Sequence, residues 1–120
     1  MEIGIDIVKI SRFDKEKISN EKFLNKIFTK NEIEYCKKKD NPSKYFATRF
    51  AGKESVIKAL SSFNEKINFK QIEILNEDNG RPFVKILNNN KSKYNIKISM
   101  SHSFDEAIAS VIIDKINELD

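Results

Sequence analysis

Glu54 and Lys58 stand four residues apart in the stretch YFATRFAGKESVIKAL, Tyr45 to Leu60, with Lys53 directly before Glu54. Phe46, Phe50, Ile57 and Leu60 recur there at helical spacing, so they share one face of a helix. At about 100° per residue, Lys53 falls near the centre of that apolar stripe and Glu54 on its flank. A lysine in such a place must snorkel out, pair, or face a cleft. Taken alone, Glu54 and Lys58 are equally an ordinary surface ion pair worth about 0.2–0.5 kcal/mol. A second carboxylate, Asp6, lies beside Gly4 in the alternating segment MEIGIDIVKI. On an open strand face it is simply solvated. If the strand packs beside the helix, Asp6 and Glu54 supply two carboxylates for one Mg²⁺, which takes one or two and leaves room for water and phosphate oxygens. Lys53, Lys58, Arg12 and Arg49 are then available for the remaining negative charge.

His102 is the only histidine, at the end of ISMS and flanked by Ser101 and Ser103. A strand-end position suits hydrogen bonding in a cleft, although a lone histidine also serves as a structural or surface residue. Cys36 is followed by three lysines, Lys37 to Lys39, that could lower its pKa, but no thiol-enzyme context surrounds it. With only Gly4, Gly52 and Gly80 available, neither a Walker A loop nor a G-x-G-x-x-G fingerprint exists. Any phosphate must be held by lysine and arginine side chains and a metal. No Cys/His cluster for zinc and no G-x-S-x-G elbow is present.

Balanced composition frames these residues. Hydrophobic residues make up 39% and charged residues 33% of 120 residues, which predicts one globular domain over 1–120. The apolar runs are far too short to span a membrane, and no secretory signal is visible at the N-terminus. A single cysteine excludes an internal disulfide and fits a reducing, cytoplasmic setting. The 22 Lys+Arg against 18 Asp+Glu give a net charge of +4, which favours a polyanionic partner. One reading of that charge is a small basic module that binds RNA without chemistry, with Phe69 and Phe83 as stacking aromatics.

The elements that must position the candidate residues follow from periodicity. MEIGIDIVKI reads as a strand, with Ile3, Ile5 and Ile7 on one side and Gly4, Asp6 and Val8 on the other. Phe23, Leu24, Ile27 and Phe28 share a helical face. TKNE, Thr29 to Glu32, is a capping box that opens a second helix carrying Ile33 and Tyr35. KKKDNPS breaks it, and Ser43 is a candidate N-cap for the charged helix, which ends near 62–64. INFKQIEIL alternates, NEDNGRP turns on Asn79-Gly80, and FVKIL returns. After the loop NNNKSKYN, IKISM and AIASVII form two further strands around SHSFDE. The predicted class is α+β: an N-terminal strand, two to three helices and a mainly antiparallel sheet.

Three separated segments, GIDIVKISRF, RFAGKESVIKA and ISMSH, resemble the signature blocks of holo-acyl-carrier-protein synthase, the small single-domain class of 4′-phosphopantetheinyl transferase. They occur in family order and spacing, and the resemblance covers essentially the whole chain. It implies transfer of the 4′-phosphopantetheine group of coenzyme A to a serine of apo-acyl carrier protein, releasing 3′,5′-ADP in a Mg²⁺-dependent reaction that supports fatty acid biosynthesis. The family's metal-binding pair falls on Asp6 and Glu54, which with Lys58 would be the catalytic residues. Arg12 falls on the arginine that meets the acidic carrier protein. The resemblance further assigns Arg49, Lys53, Gly80, Pro82, Ser101 and His102 to coenzyme A binding, the glycine and proline through the turn NGRP. Members are typically homotrimers with sites between protomers; no membrane or nucleic-acid partner is implied. Lys9 stands where relatives often carry a glutamate, and Gly52 replaces a usual alanine.

Overall fold

The computed structural model describes residues 1–87 and 93–116. Strand β1, Glu2–Lys9, runs antiparallel to β5, Glu106–Lys115, which pairs on its other side with β4, Tyr94–His102. A separate antiparallel pair is formed by β2, Ile72–Asn76, and β3, Pro82–Ile86. Between them in sequence come α1, Lys15–Ile18; α2, Glu21–Ile27; α3, Lys30–Lys37; and the long α4, Pro42–Ser61. The α+β class stands, with four helices among the described residues and the strands divided between two antiparallel sheets.

The local signals explain most boundaries. Asn20 Oδ1 accepts from Phe23 N at 3.1 Å and caps α2. Thr29 and Glu32 form the full reciprocal capping box of α3. Ser43 is not the cap of α4: the helix begins at Pro42, whose ring presets a helical φ and whose missing N–H would have had no partner there. Past the last turn, Asn64 adopts a φ of 60°, a left-handed conformation that asparagine tolerates. Strand β2 starts later than the alternation in INFKQIEIL predicts. Asn68 N and the Gln71 side chain bond at 3.0 Å and close a 3₁₀ turn over Phe69–Gln71, which turns Phe69 onto Phe50. The expected loop at 88–95 lies partly outside the described residues, and Tyr94 and Asn95 already belong to β4.

The sheet shows an orientation that alternation alone leaves open. Ile3, Ile5 and Ile7 face outward at 66%, 56% and 58% exposure, while Gly4 and Val8 are buried against α4. Close approach is the reason. A Cβ on Gly4 would lie 2.0 Å from Ser55 O, so only the small-residue face of β1 fits the helix. The neighbouring inner face of β5 is small as well at Ala107 and Ala109. A cluster of Phe13, Phe28, Phe46 and Phe50 fills the space at the other end of α4, with ring centroids 5.0–5.9 Å apart. Among the described residues no helix is long and apolar enough to cross a membrane.

Candidate active site

Helix α4 carries two groups of charges on different sides. Ala47, Ala51, Glu54 and Lys58 recur at helical spacing and form the stripe that borders β1. Across that border, Lys58 Nζ lies 2.9 Å from Asp6 Oδ1 and donates to Ile5 O at 3.1 Å. The Asp6 side chain is 15% exposed and that of Lys58 55%. Glu54 is half-buried one helical turn before Lys58. Asp6, Glu54 and Lys58 are thereby gathered on one side of the molecule, and the expected Glu54–Lys58 pair is replaced by Lys58–Asp6. The Ser55 hydroxyl, one residue after Glu54, lies 2.8 Å from Ala51 O and 3.1 Å from Ala109 O, between α4 and β5.

The second group opens into a cleft of about 230 Å³. Arg49, Gly80, Pro82, Ser101 and His102 all line it, together with Tyr35, Tyr45, Thr48, Asn76 and Met100. Arg49 is only 2% exposed, its guanidinium 4.3 Å from the centre of the Tyr35 ring. It donates to Asn76 Oδ1, and Asn76 Nδ2 in turn donates to Gly80 O at 2.9 Å. Gly80 has a φ of 89°, so the turn that brings this carbonyl round needs glycine. Among the described residues Arg49 Nε has no hydrogen-bond partner. A buried guanidinium with an unused donor beside an open cleft suits an anionic group.

The family model of the 4′-phosphopantetheinyl transferase superfamily matches residues 2–112. The chain belongs to that superfamily. This transferase is 40% identical over 126 residues to the holo-[acyl-carrier-protein] synthase of Clostridium kluyveri, covering 98% of the chain and 94% of the relative. It is 46% identical over 113 residues to that of Thermodesulfovibrio yellowstonii, covering 92% and 96%. Among solved structures, the Helicobacter pylori holo-[acyl-carrier-protein] synthase in complex with coenzyme A superposes with a TM-score of 0.78 at 33% identity, over 93% of this chain and 99% of that one. The Bacillus anthracis synthase, solved with CoA (3′,5′-ADP), gives a TM-score of 0.78 at 30% identity over 96% of both chains.

Within the transferase, two expectations from sequence need correction. Lys53, which the resemblance assigns to coenzyme A binding, takes the pairing option instead and does not line the cleft: it is 0% exposed, paired with Glu32 Oε1 at 2.6 Å, and donates to the carbonyls of Ile27, Phe69 and Ile72. Burial drags its pKa down and pushes that of Glu32 up, each opposed by the partner's charge. Cys36 is fully buried, and burial lifts its thiol to about 12, the reverse of what the nearby lysines suggest. The RNA-module reading loses Phe69, which is partly buried and packs against the core with its ring 5.4 Å from that of Phe50. Arg12 remains exposed, its guanidinium 5.0 Å above the Phe50 ring at the edge of the aromatic cluster.

Tyr35, Tyr45, Thr48 and Asn76 line the cleft without a sequence signal of their own. Thr48 could have been found from Arg49, its neighbour in the helix block, but the tyrosines and Asn76 come from α3, the start of α4 and the end of β2. Only the folded packing brings them together.

Proposed function

We propose that this protein transfers the 4′-phosphopantetheine group of coenzyme A to a serine of an apo-acyl carrier protein, releasing 3′,5′-ADP, as one transferase unit over 1–120. The reading is carried by one observation: Asp6 and Lys58, from elements 52 residues apart, meet one helical turn from Glu54. The named activities of its relatives, and the coenzyme A in two related structures, point the same way.

Asp6 and Glu54 offer hard carboxylate oxygens, and among the described residues no group of three or more His, Cys, Asp or Glu converges on one point. That donor set fits Mg²⁺, which keeps waters and substrate oxygens in its shell, better than an ion caged wholly by protein. A bound Mg²⁺ supplies charge neutralisation at the diphosphate. The chain's own residues do the rest. Lys58 offsets negative charge on the leaving side, while Arg49 and His102 hold the nucleotide's phosphates in the cleft. The carrier serine Oγ forms the new bond to phosphorus as the diphosphate P–O bond breaks and 3′,5′-ADP departs. Glu54 is the candidate acceptor of the serine proton. Arg12, exposed beside the basic α1, docks the acidic carrier protein.

The arrangement also supports a homotrimer with sites shared between protomers. Arg49 and Lys58 are nine residues apart, which at about 100° per residue sets them on opposite sides of α4. One coenzyme A reaches both groups if they come from different copies. The outward face of β1 and β5, with Ile3, Ile5, Ile7, Ile108 and Ile112 exposed at 36–66%, provides an apolar surface for such assembly. A cytoplasmic site of action, supplying carrier protein for fatty acid synthesis, accompanies this activity.

Incubating the protein with coenzyme A, Mg²⁺ and an apo-acyl carrier protein tests the proposal by intact mass. Addition of one phosphopantetheine to the carrier is the expected result. An unmodified carrier, with a folded protein and fresh coenzyme A, counts against it.

A further inference from the structure

Lys53 and its partner Glu32 are both 0% exposed, the most enclosed charges among the described residues, and nothing in the transfer chemistry uses them. The Lys53 ammonium meets Glu32 Oε1 at 2.6 Å and the carbonyls of Ile72, Ile27 and Phe69 at 2.7, 2.8 and 2.9 Å. Those acceptors belong to α3, the first residue of β2, the last residue of α2 and the 3₁₀ turn before β2. Glu32 extends the tie: Oε2 accepts from Ile74 N at 2.7 Å and Oε1 from Thr29 N at 2.8 Å. One helical turn earlier on α4, Arg49 grips the far end of β2 through Asn76. Strand β2 is therefore held at both ends by cations spaced one turn apart on the same helix.

A buried ion pair is a poor device for stability, since taking both charges out of water is costly and apolar side chains of similar volume often serve as well. Its distinctive property is directionality. Apolar contact is non-directional and tolerates sliding, whereas four short polar contacts around one nitrogen do not. The residue so fixed lies immediately before Glu54. We propose that Lys53, with Glu32, is a positioning residue for the transfer reaction: it sets the rotation and axial placement of α4. Arg49 is thereby aimed into the cleft beside β2, and Glu54 stands on the stripe that borders Asp6. This rests on the transferase reading above.

The test begins with the unsubstituted protein, whose failure to modify the carrier would refute the transferase reading itself. Given that activity, Lys53→Arg keeps the charge but cannot reproduce the four contacts, and Lys53→Met with Glu32→Leu removes both charges together. In whichever variant melts well above the assay temperature, kcat is expected to fall about 100-fold, the scale of a misplacement near 1 Å. The KM for carrier protein is expected to stay within about twofold, because Arg12 lies on another element. Binding of 3′,5′-ADP and of Mn²⁺, measured calorimetrically without turnover, is expected to weaken in parallel. A folded variant with kcat within about threefold of the parent overturns the proposal. So does failure of both variants to fold, which makes Lys53 a stability residue and no more.

Discussion

Lys58 reaches across to another element rather than along its own helix: its Nζ lies 2.9 Å from Asp6 Oδ1, in preference to Glu54 one turn earlier. A cation thus bridges β1 and α4, one helical turn from the second carboxylate, Glu54.

Asp6→Ala and Glu54→Ala are each expected to reduce Mg²⁺-dependent transfer at least 10³-fold. The fold should survive, since the Lys58 side chain is 55% exposed and such pairs contribute about 0–1 kcal/mol. Intact-mass assays of the carrier, beside thermal melts of each variant, check both parts. Transfer retained in both variants removes the two carboxylates from the chemistry.

Gly4 and Gly52 are expected to respond differently to alanine. At Gly4 the new Cβ would meet a backbone oxygen, Ser55 O, at 2.0 Å, so β1 must move away from α4 and take Asp6 with it. A loss of at least about 1–3 kcal/mol is expected, with activity falling too. At Gly52 the new Cβ meets Ile74 Cδ1 at 2.6 Å and Ile98 Cδ1 at 3.2 Å, the free ends of side chains. Their adjustment is offset by about 0.5–1 kcal/mol of recovered helix preference. Chemical denaturation of the two variants should separate them clearly, and equal destabilisation would contradict the close-approach argument.

The contrast shows what the sequence could reveal. The Thr29–Glu32 box, the Asn79-Gly80 turn and the helical face around Phe46 and Phe50 depend on neighbours in the chain, and each appears where expected. Period-two alternation located β1 but not its inner side, because the choice depends on how closely Ser55 approaches from a distant helix. Lys53 was legible as an anomaly on an apolar stripe. Its answer, a buried partner at Glu32 and three carbonyls from other elements, was not. The cleft was legible wherever its residues sat in family blocks, and invisible at Tyr35, Tyr45 and Asn76.

Arg12→Ala is expected to raise the KM for carrier protein about tenfold and leave that for coenzyme A nearly unchanged. The difference should shrink between low salt and 0.5 M salt, as attraction between exposed charges is screened. Steady-state kinetics at the two salt concentrations check this. An unchanged carrier KM at low salt takes Arg12 off the docking surface.

Tyr94 makes stability fall at alkaline pH. Its hydroxyl donates to Glu65 Oε1 at 2.7 Å, and burial, then that bond and the carboxylate's charge, lift its pKa from 10.0 to about 12. Below pH 10 both folded and unfolded chains keep the proton, and the contribution is fully present. Between 10 and 12 the unfolded chain releases it first, so rising pH favours unfolding. Tyr94→Phe lacks this term. The melting temperatures of parent and variant should converge by roughly 2–4 °C as pH rises through that window; a constant gap rules the phenol out.

Mixing two inactive variants tests whether sites are shared. Asp6→Ala spoils the β1–α4 side and Arg49→Ala the cleft side, and the two lie on opposite sides of α4. If a site takes one half from each of two copies in a ring, random mixing after reversible dissociation leaves about a quarter of the sites with both halves intact. Transfer should therefore reappear in the mixture at about a quarter of the parent rate, although neither variant is active alone. Ile5→Lys, which places a cation on the exposed isoleucine face, should yield monomers by sedimentation and abolish this recovery. A mixture that stays inactive while sedimentation shows mixed trimers would locate each site within a single copy.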